Sequence, residues 1–473
     1  MGTTEEVFDV AIIGGGVVGC AIAREMAVFG MNAVLLESRS DLGDGTSKAN
    51  TAILHTGFDT VPGSLESSLV TRGYELLGTY AKAANIAVEQ TGALLVAWDD
   101  DQESSLEQLL EKAHDNGVIS AGLVDSEEVR RREPHLGPGS RSGLVVPGES
   151  IIDPWSVSLA FAREAVANGL TLKRNARVRG VDHGVDVHEL HLDGERIRAT
   201  WVINAAGLQS DSVNRWFGHD EFFITPRRGQ LIVFDKFARE LLNEILLPVP
   251  TERTKGVLVS PTAWGNVLLG PTAEDLSDRS DTATTTEGIA QLLDAGRAIL
   301  PTLLDEEITA MYAGLRAATE HRDYQIAVYP DERYLCVGGI RSTGLTGSLG
   351  IAEYVRSLLS QAGLALVARE AAMVPIMPPL GEHQIRPMMD NALIQRDPLY
   401  GTALCHCEQV SRGEVRDACH GAVAATDVEG VRRRTRAMNG RCQGFFCGAE
   451  VMAVISEETG IPVEVLTEVR TAR

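Results

Sequence analysis

The stretch Val7-Phe-Asp-Val-Ala-Ile-Ile13, Gly14-Gly-Gly16-Val-Val-Gly19, and on to Asn32-Ala-Val-Leu-Leu36-Glu37 decides the fold. Its first seven residues form a short apolar run with β-branched residues, as in a buried strand. A glycine turn follows, then a helical pattern over residues 17–29 that stops at Gly30, then a second strand ending in an acid. Strand, glycine turn, helix, strand and acid together make the Gly-x-Gly-x-x-Gly motif specific for a dinucleotide. Gly14 allows the tight turn, Gly16 admits a pyrophosphate against the backbone, and Gly19 lets the helix pack on the strand. The helix N-terminus then offers free N–H groups to the phosphates. Glu37 is placed to bind the ribose hydroxyls of an ADP moiety.

Working outward, the segment Gly45–Gly57 is rich in small hydroxyl and amide side chains suited to phosphate and ribityl oxygens. His55 is its one group that titrates near neutrality. It could accept a substrate hydroxyl proton, could be a structural histidine packed on the cofactor, or could carry a covalent flavin link. Further on, helices are expected over 65–84, 101–117 and 154–168, with strands at 92–98, 229–234 and 256–270. Val202–Gly207 reads as a strand entering a glycine turn, and 335–358 as strand, glycine-rich turn and helix. The N-terminal amides of that last helix could stabilise negative charge on a reduced flavin ring. Arg316 and Arg341 could each bind a carboxylate or phosphate in bidentate fashion, or make an ordinary ion pair. No second nucleotide fingerprint appears, so a flavin here would be reduced by the organic substrate itself.

Near the C-terminal end lie Cys405-His-Cys407 and, after a 34-residue gap, Cys442-Gln-Gly-Phe-Phe-Cys447. Four thiolates in two close pairs suit zinc or an iron–sulfur cluster. The single-residue spacing of the first pair is unusual for zinc. Cys20, Cys336 and Cys419 fall in apolar or helical patterns and read as buried thiols. This cysteine usage fits a reducing compartment. The opening residues lack a signal-peptide pattern, and no apolar run reaches the length of a membrane span. These features place the chain in the cytoplasm, with any membrane contact made through a partner. A net charge of −22 argues against nucleic acid and anionic lipid as partners.

At this point the residues resemble the D-amino-acid-oxidase-like superfamily of FAD-dependent oxidoreductases. The resemblance rests on Gly14–Gly19, Asn50–Gly57, Ile152-Asp-Pro-Trp155, Val202–Gly207, Pro226-Arg-Arg-Gly-Gln230 and Gly338–Glu353. Within it the chain is similar to the anaerobic glycerol-3-phosphate dehydrogenase large subunit and to the L-2-hydroxyglutarate oxidase type. The tail, with Thr435-Arg436 and Gly440-Arg-Cys-Gln-Gly-x-x-Cys447, resembles a bacterioferritin-associated-ferredoxin-like (BFD-like) [2Fe-2S] domain.

The resemblance implies an α/β fold. A Rossmann-type FAD-binding domain would be interleaved with an α+β substrate domain carrying an antiparallel sheet, followed by a small, mainly helical [2Fe-2S] domain. The oxidoreductase would occupy 1–374, with its FAD-binding part near 1–90, 145–215 and 310–365 and its substrate part near 91–144 and 216–309. Residues 375–399, rich in proline and methionine, would be a linker to the BFD-like domain at 400–473. FAD would be held by Gly14, Gly16, Val18, Gly19, Glu37, Ser38, Thr46, Ser47, Asn50, Thr51, Val178, Ala206, Gly207, Gly344, Leu345 and Thr346. Cys405, Cys407, Cys442 and Cys447 would hold the cluster. The implied reaction moves hydride from a small anionic hydroxy substrate to flavin, with His55 as base and Arg316 and Arg341 clamping the anion. The cluster then passes electrons to an acceptor protein or a quinone-linked subunit. One departure stands out. The glycerol-3-phosphate enzymes usually carry a lysine after the paired glycines, where this chain has Gly338-Gly-Ile-Arg341. The substrate therefore stays open between a glycerol-3-phosphate-like molecule and a 2-hydroxy acid. Amine oxidation and a non-catalytic electron carrier are the rival readings.

Overall fold

The computed structural model describes residues 6–250, 256–369 and 373–471, with side chains through 467. The first sheet grows from the opening motif. Strand Val7–Ile13 pairs in parallel with Ala33–Leu36 on one side and with Arg196–Asn204 on the other. Thr171–Lys173 and Tyr334–Gly338 extend the parallel core, while His188–His191 and Gln325–Tyr329 add antiparallel neighbours. Strands buried on both faces must be apolar throughout, and Val10 to Ile12 and Ala33 to Leu35 are fully buried. Helices Val17–Val28, Leu65–Ala83, Pro154–Ala167 and Gly344–Gln361 contribute to one core over this sheet.

The second sheet has nine strands and is mainly antiparallel. Its long partners are Thr225–Phe234 and Ile308–Ala318, which pair along nearly their whole length. That pairing shifts one expected boundary. Residues 310–318 belong to the second sheet, because the strand starting at Ile308 finds its hydrogen bonds there and not in the nucleotide sheet. Likewise Gly143–Val146 pairs with Ala93–Val96 in the second sheet.

Residues 375–399 are more built than a tether. They contain a helix, Asn391–Arg396, and Arg386 bonds Glu414 and the carbonyl of Thr435. The last unit is a two-stranded hairpin followed by four short helices around their own apolar core, which includes Leu404, Val415, Val431, Val451 and Ile455. Among the described residues no helix is long and apolar enough to cross a membrane. Residues 1–5, on which part of the signal-peptide reading rests, lie outside the described residues.

The C-terminal unit is anchored to the nucleotide domain by buried charge. Asp41 accepts hydrogen bonds from Arg433 at 2.7 Å and from both terminal nitrogens of Arg434 at 2.8 Å. Arg433 also reaches Asp44 at 2.7 Å. All four side chains are at most 5% exposed. The paired guanidiniums hold the Asp41 carboxyl well below the usual carboxylate range, overriding the opposing effect of burial. Ser40 adds a bond to Asp427, and Arg174 one to the carbonyl of Ala424.

Candidate functional site

A cavity of about 1420 Å³ runs from the glycine turn, between the two sheets, to the loop 338–345. Its lining includes Gly14, Gly16, Val18, Gly19, Glu37, Ser38, Thr46, Ser47, Asn50, Thr51, His55, Val178, Ala206, Gly207, Arg316, Arg341, Gly344 and Leu345. Thr346, also expected there, is fully buried behind the wall, where its hydroxyl accepts from the His55 amide at 3.0 Å.

The nucleotide end is built by close approach. A Cβ at Gly19 would lie 1.9 Å from the carbonyl oxygen of Gly14, so the helix can start against the strand only with glycine there. The N-cap of the Val17–Val28 helix, Gly16, has no side chain of its own; Ser47 Oγ accepts from the Val17 amide at 2.9 Å, and no acid sits in the first turn. The helix therefore presents its positive end to the cavity. Glu37 accepts from the Gly15 amide at 2.7 Å, the Arg39 amide at 2.8 Å and Ser38 Oγ at 3.1 Å. Burial nonetheless pushes its carboxyl upward. The Gly344–Gln361 helix also begins at the cavity without a side-chain cap. Two positive helix ends and a buried acid fit a pyrophosphate-linked dinucleotide with an anionic ring.

At the other end His55 Nδ1 lies 3.1 Å from Glu149 Oε2. Glu149 is fully buried, and its second oxygen accepts from the amide and hydroxyl of Thr56, each at 2.7 Å. The carboxylate is thus held on three sides and fixes the imidazole. Facing arginines come from the second sheet. Arg227 and Arg316 are directly opposed across neighbouring strands, and Asp275 is opposite Arg227 on its far side. Asp275 is taken by Arg227, at 2.6 Å. Among the described residues Arg316 donates only to the carbonyl of Thr272, at 2.8 Å. Burial, reinforced by Arg227, lowers its pKa to about 10, which still leaves it charged at neutral pH. Like charges opposed across strands are destabilising, and a bound anion would relieve the pair. Arg341 lines the same cavity but already pairs with Glu66 at 2.9 Å.

The four expected cysteines converge in the C-terminal unit, Cys407 beside Cys442 and Cys405 beside Cys447. All seven cysteines are free thiols, and Cys20, Cys336 and Cys419 are buried apart from this group. The Cys442 thiol is shifted down, chiefly by the Phe446 amide with help from those of Gly444 and Phe445. Amides aimed at sulfur favour a thiolate. A Cβ at Gly440 would lie 2.2 Å from Cys407 Cβ, so glycine is what lets the two cysteine segments meet. Two thiol pairs with thiolate-stabilising amides fit a two-iron cluster.

Sequence reasoning singled out neither Glu149 nor the Asp41–Arg433–Arg434 anchor. Glu149 follows a Pro-Gly turn and is 94 residues from His55, so only the fold joins them.

Comparison with known proteins agrees with this geometry. Residues 9–358 match the DAO family, FAD dependent oxidoreductase, and residues 403–457 the BFD-like [2Fe-2S] binding domain. The chain is 34% identical to a glycerol 3-phosphate dehydrogenase of Caloramator mitchellensis, over 96% of this chain and 95% of that one. It is 30% identical to the human mitochondrial L-2-hydroxyglutarate dehydrogenase, over 56% of this chain and 61% of that one. Among solved structures, an FAD-bound L-alpha-glycerophosphate oxidase from Mycoplasma pneumoniae superposes with a TM-score of 0.74 at 29% identity. That match covers 78% of this chain and 98% of the oxidase.

Proposed function

Since the chain belongs to the DAO family of FAD-dependent oxidoreductases and carries a BFD-like [2Fe-2S] binding domain, we propose that it is a dehydrogenase of glycerol 3-phosphate. When bound, FAD supplies hydride acceptance from a carbinol carbon, and the [2Fe-2S] cluster supplies single-electron transfer.

The chain's own residues do the rest. The glycine turn and Glu37 hold the ADP portion, and residues 45–51 hold the ribityl chain and ring. Arg316 binds the phosphate and so turns the carbinol toward the ring. With Glu149 accepting at Nδ1, His55 takes the hydroxyl proton at Nε2. Burial of Glu149 keeps the imidazole in one orientation through the reaction. Cys405, Cys407, Cys442 and Cys447 ligate the cluster. The observation that carries the reading is Arg316, a buried guanidinium opposed to a second arginine, Arg227, which already takes the acid beside it, Asp275. Seven free cysteines support a cytoplasmic setting. The natural acceptor is then a protein or a quinone-linked subunit.

A 2-hydroxy acid is the second reading, favoured by Arg341 in place of lysine and by the hydroxyglutarate dehydrogenase relative. Anaerobic mixing tests both. Glycerol 3-phosphate should bleach the flavin within a turnover, and Arg316→Ala should raise its KM by about 10- to 100-fold, the worth of a hydrogen-bonded charge. Bleaching by L-2-hydroxyglutarate or by an amino acid alone would overturn the assignment.

A further inference from the structure

Two indoles stand between the two cofactor sites. Trp155, in the first turn of the Pro154–Ala167 helix, donates its Nε1–H to the carbonyl of Lys48 at 3.1 Å. Lys48 closes the short turn Thr46–Lys48, whose Thr46 and Ser47 line the large cavity. Trp264 lies in the turn between strands Leu258–Pro261 and Val267–Gly270. It packs on Trp155 with ring centroids 4.3 Å apart and planes 39° apart. The Arg436 guanidinium sits 4.3 Å from the Trp264 ring centroid and donates to Glu408 at 2.8 Å. Glu408 is the residue after the cluster ligand Cys407. An unbroken run of contacts thus joins the cavity wall to the cysteine quartet.

Packing alone does not account for Trp264. Its Nε1–H is buried with no acceptor among the described residues. A buried donor left without an acceptor is destabilising, and a phenylalanine or leucine would fill the space without that cost. What an indole adds is an extended π system, here packed at a tilt against a second one and faced by a cation.

We propose that Trp155 and Trp264 are the electronic bridge from bound FAD to the bound [2Fe-2S] cluster. In each passage the substrate-reduced flavin loses one electron and the ferric–ferric cluster gains it, and the one bond broken over two passages is the flavin N–H that gives up its proton. The indoles begin and end neutral, because oxidising an indole requires a potential far above that of a flavin. The electron tunnels through their π systems without resting on them. A one-electron oxidant such as ferricyanide re-oxidises the cluster before the second passage. Over two passages FADH⁻ returns to FAD, losing two electrons and releasing one proton to solvent.

The test uses the full chain. In the wild type, glycerol 3-phosphate should bleach the flavin and raise the reduced-cluster EPR signal together in rapid-freeze samples. In Trp264→Leu and Trp155→Leu bleaching should keep its rate while the EPR signal lags severalfold. Trp264→Phe should fall between, and the midpoint potentials of both cofactors should not move. A second readout needs no turnover. Assembling the cluster in FAD-free protein should quench a tryptophan emission component that Trp264→Phe lacks. Coincident signals in both leucine variants would overturn the proposal, as would a lag that tracks a shifted potential. If a leucine variant fails to assemble its cluster, Trp264→Phe and Trp155→Phe decide, and no lag in either overturns it.

Discussion

Replacing Asp41 by asparagine should undock the C-terminal unit while leaving both units folded. The change keeps the shape of the side chain and removes its charge. Among the described residues, Arg434 would lose its one carboxylate partner and keep the carbonyls of Val423 and Gly430, and Arg433 would keep Asp44. Taking one partner from a buried pair costs about 3–5 kcal/mol, because the remaining charge stays out of water. At 1.4 kcal/mol per decade this shifts the docked-to-undocked equilibrium by about 10²- to 10³-fold. Each unit has its own apolar core, so the cost falls on the interface and not on either fold. Hydrogen exchange reads it directly. Amides of the Val428–Thr435 helix, whose arginines make the contact, should exchange faster by up to that factor, while those of Val7–Ile13 keep their protection. Removing the arginines too, in Asp41→Asn/Arg433→Gln/Arg434→Gln, should cost less than Asp41→Asn alone, since no buried charge is then orphaned. Wild-type exchange in Asp41→Asn, or a larger loss in the triple variant, would refute the reasoning.

Other expectations follow from single contacts. Glu149→Gln should slow flavin bleaching by about 10²–10⁴-fold, the range of a mis-set general base, without changing FAD content; stopped-flow absorbance checks it. Gly19→Ala should abolish FAD binding, because its Cβ would meet the Gly14 carbonyl at 1.9 Å; the absorbance of the purified protein reports the loss. Gly440→Ala should lose the cluster but keep FAD, since its Cβ falls 2.2 Å from Cys407 Cβ; EPR of the reduced protein separates the two cofactors. Burial raises the Glu133 carboxyl from 4.5 to about 7. The folded state therefore holds a proton that the unfolded state has lost, and stability should fall as pH rises from about 4.5 to about 7. Glu133→Gln should flatten that slope in denaturant titrations.

Legibility followed the range of the physics. The opening motif could be read from sequence because its chemistry is local: three glycines, a strand and an acid act within one βαβ turn. The cysteine quartet was legible by spacing, although Gly440 as the point of close approach was not. The expected sheets and helices mostly appear where periodicity put them. The strand at Ile308 crossed its expected boundary because strand pairing, a long-range property, settled its sheet. Register also set Arg227 against Arg316, and no window of sequence contains both. Glu149 is an acid after a turn until the fold brings it to His55. Arg433 and Arg434 belong to a basic triplet that would ordinarily be a solvated face; their burial depends on two acids nearly 400 residues away.

The segment 37–48 has two employers. Glu37, Ser38, Thr46 and Ser47 line the large cavity proposed to hold FAD, while Ser40, Asp41 and Asp44 grip the C-terminal unit. Two ligands that order the same dozen residues are thermodynamically linked, and linkage is reciprocal. Whatever factor bound FAD adds to docking of the C-terminal unit, docking must add to the affinity for FAD. Assembly is then self-proofreading: a chain that has not closed around its flavin is also a poor host for its own C-terminal unit.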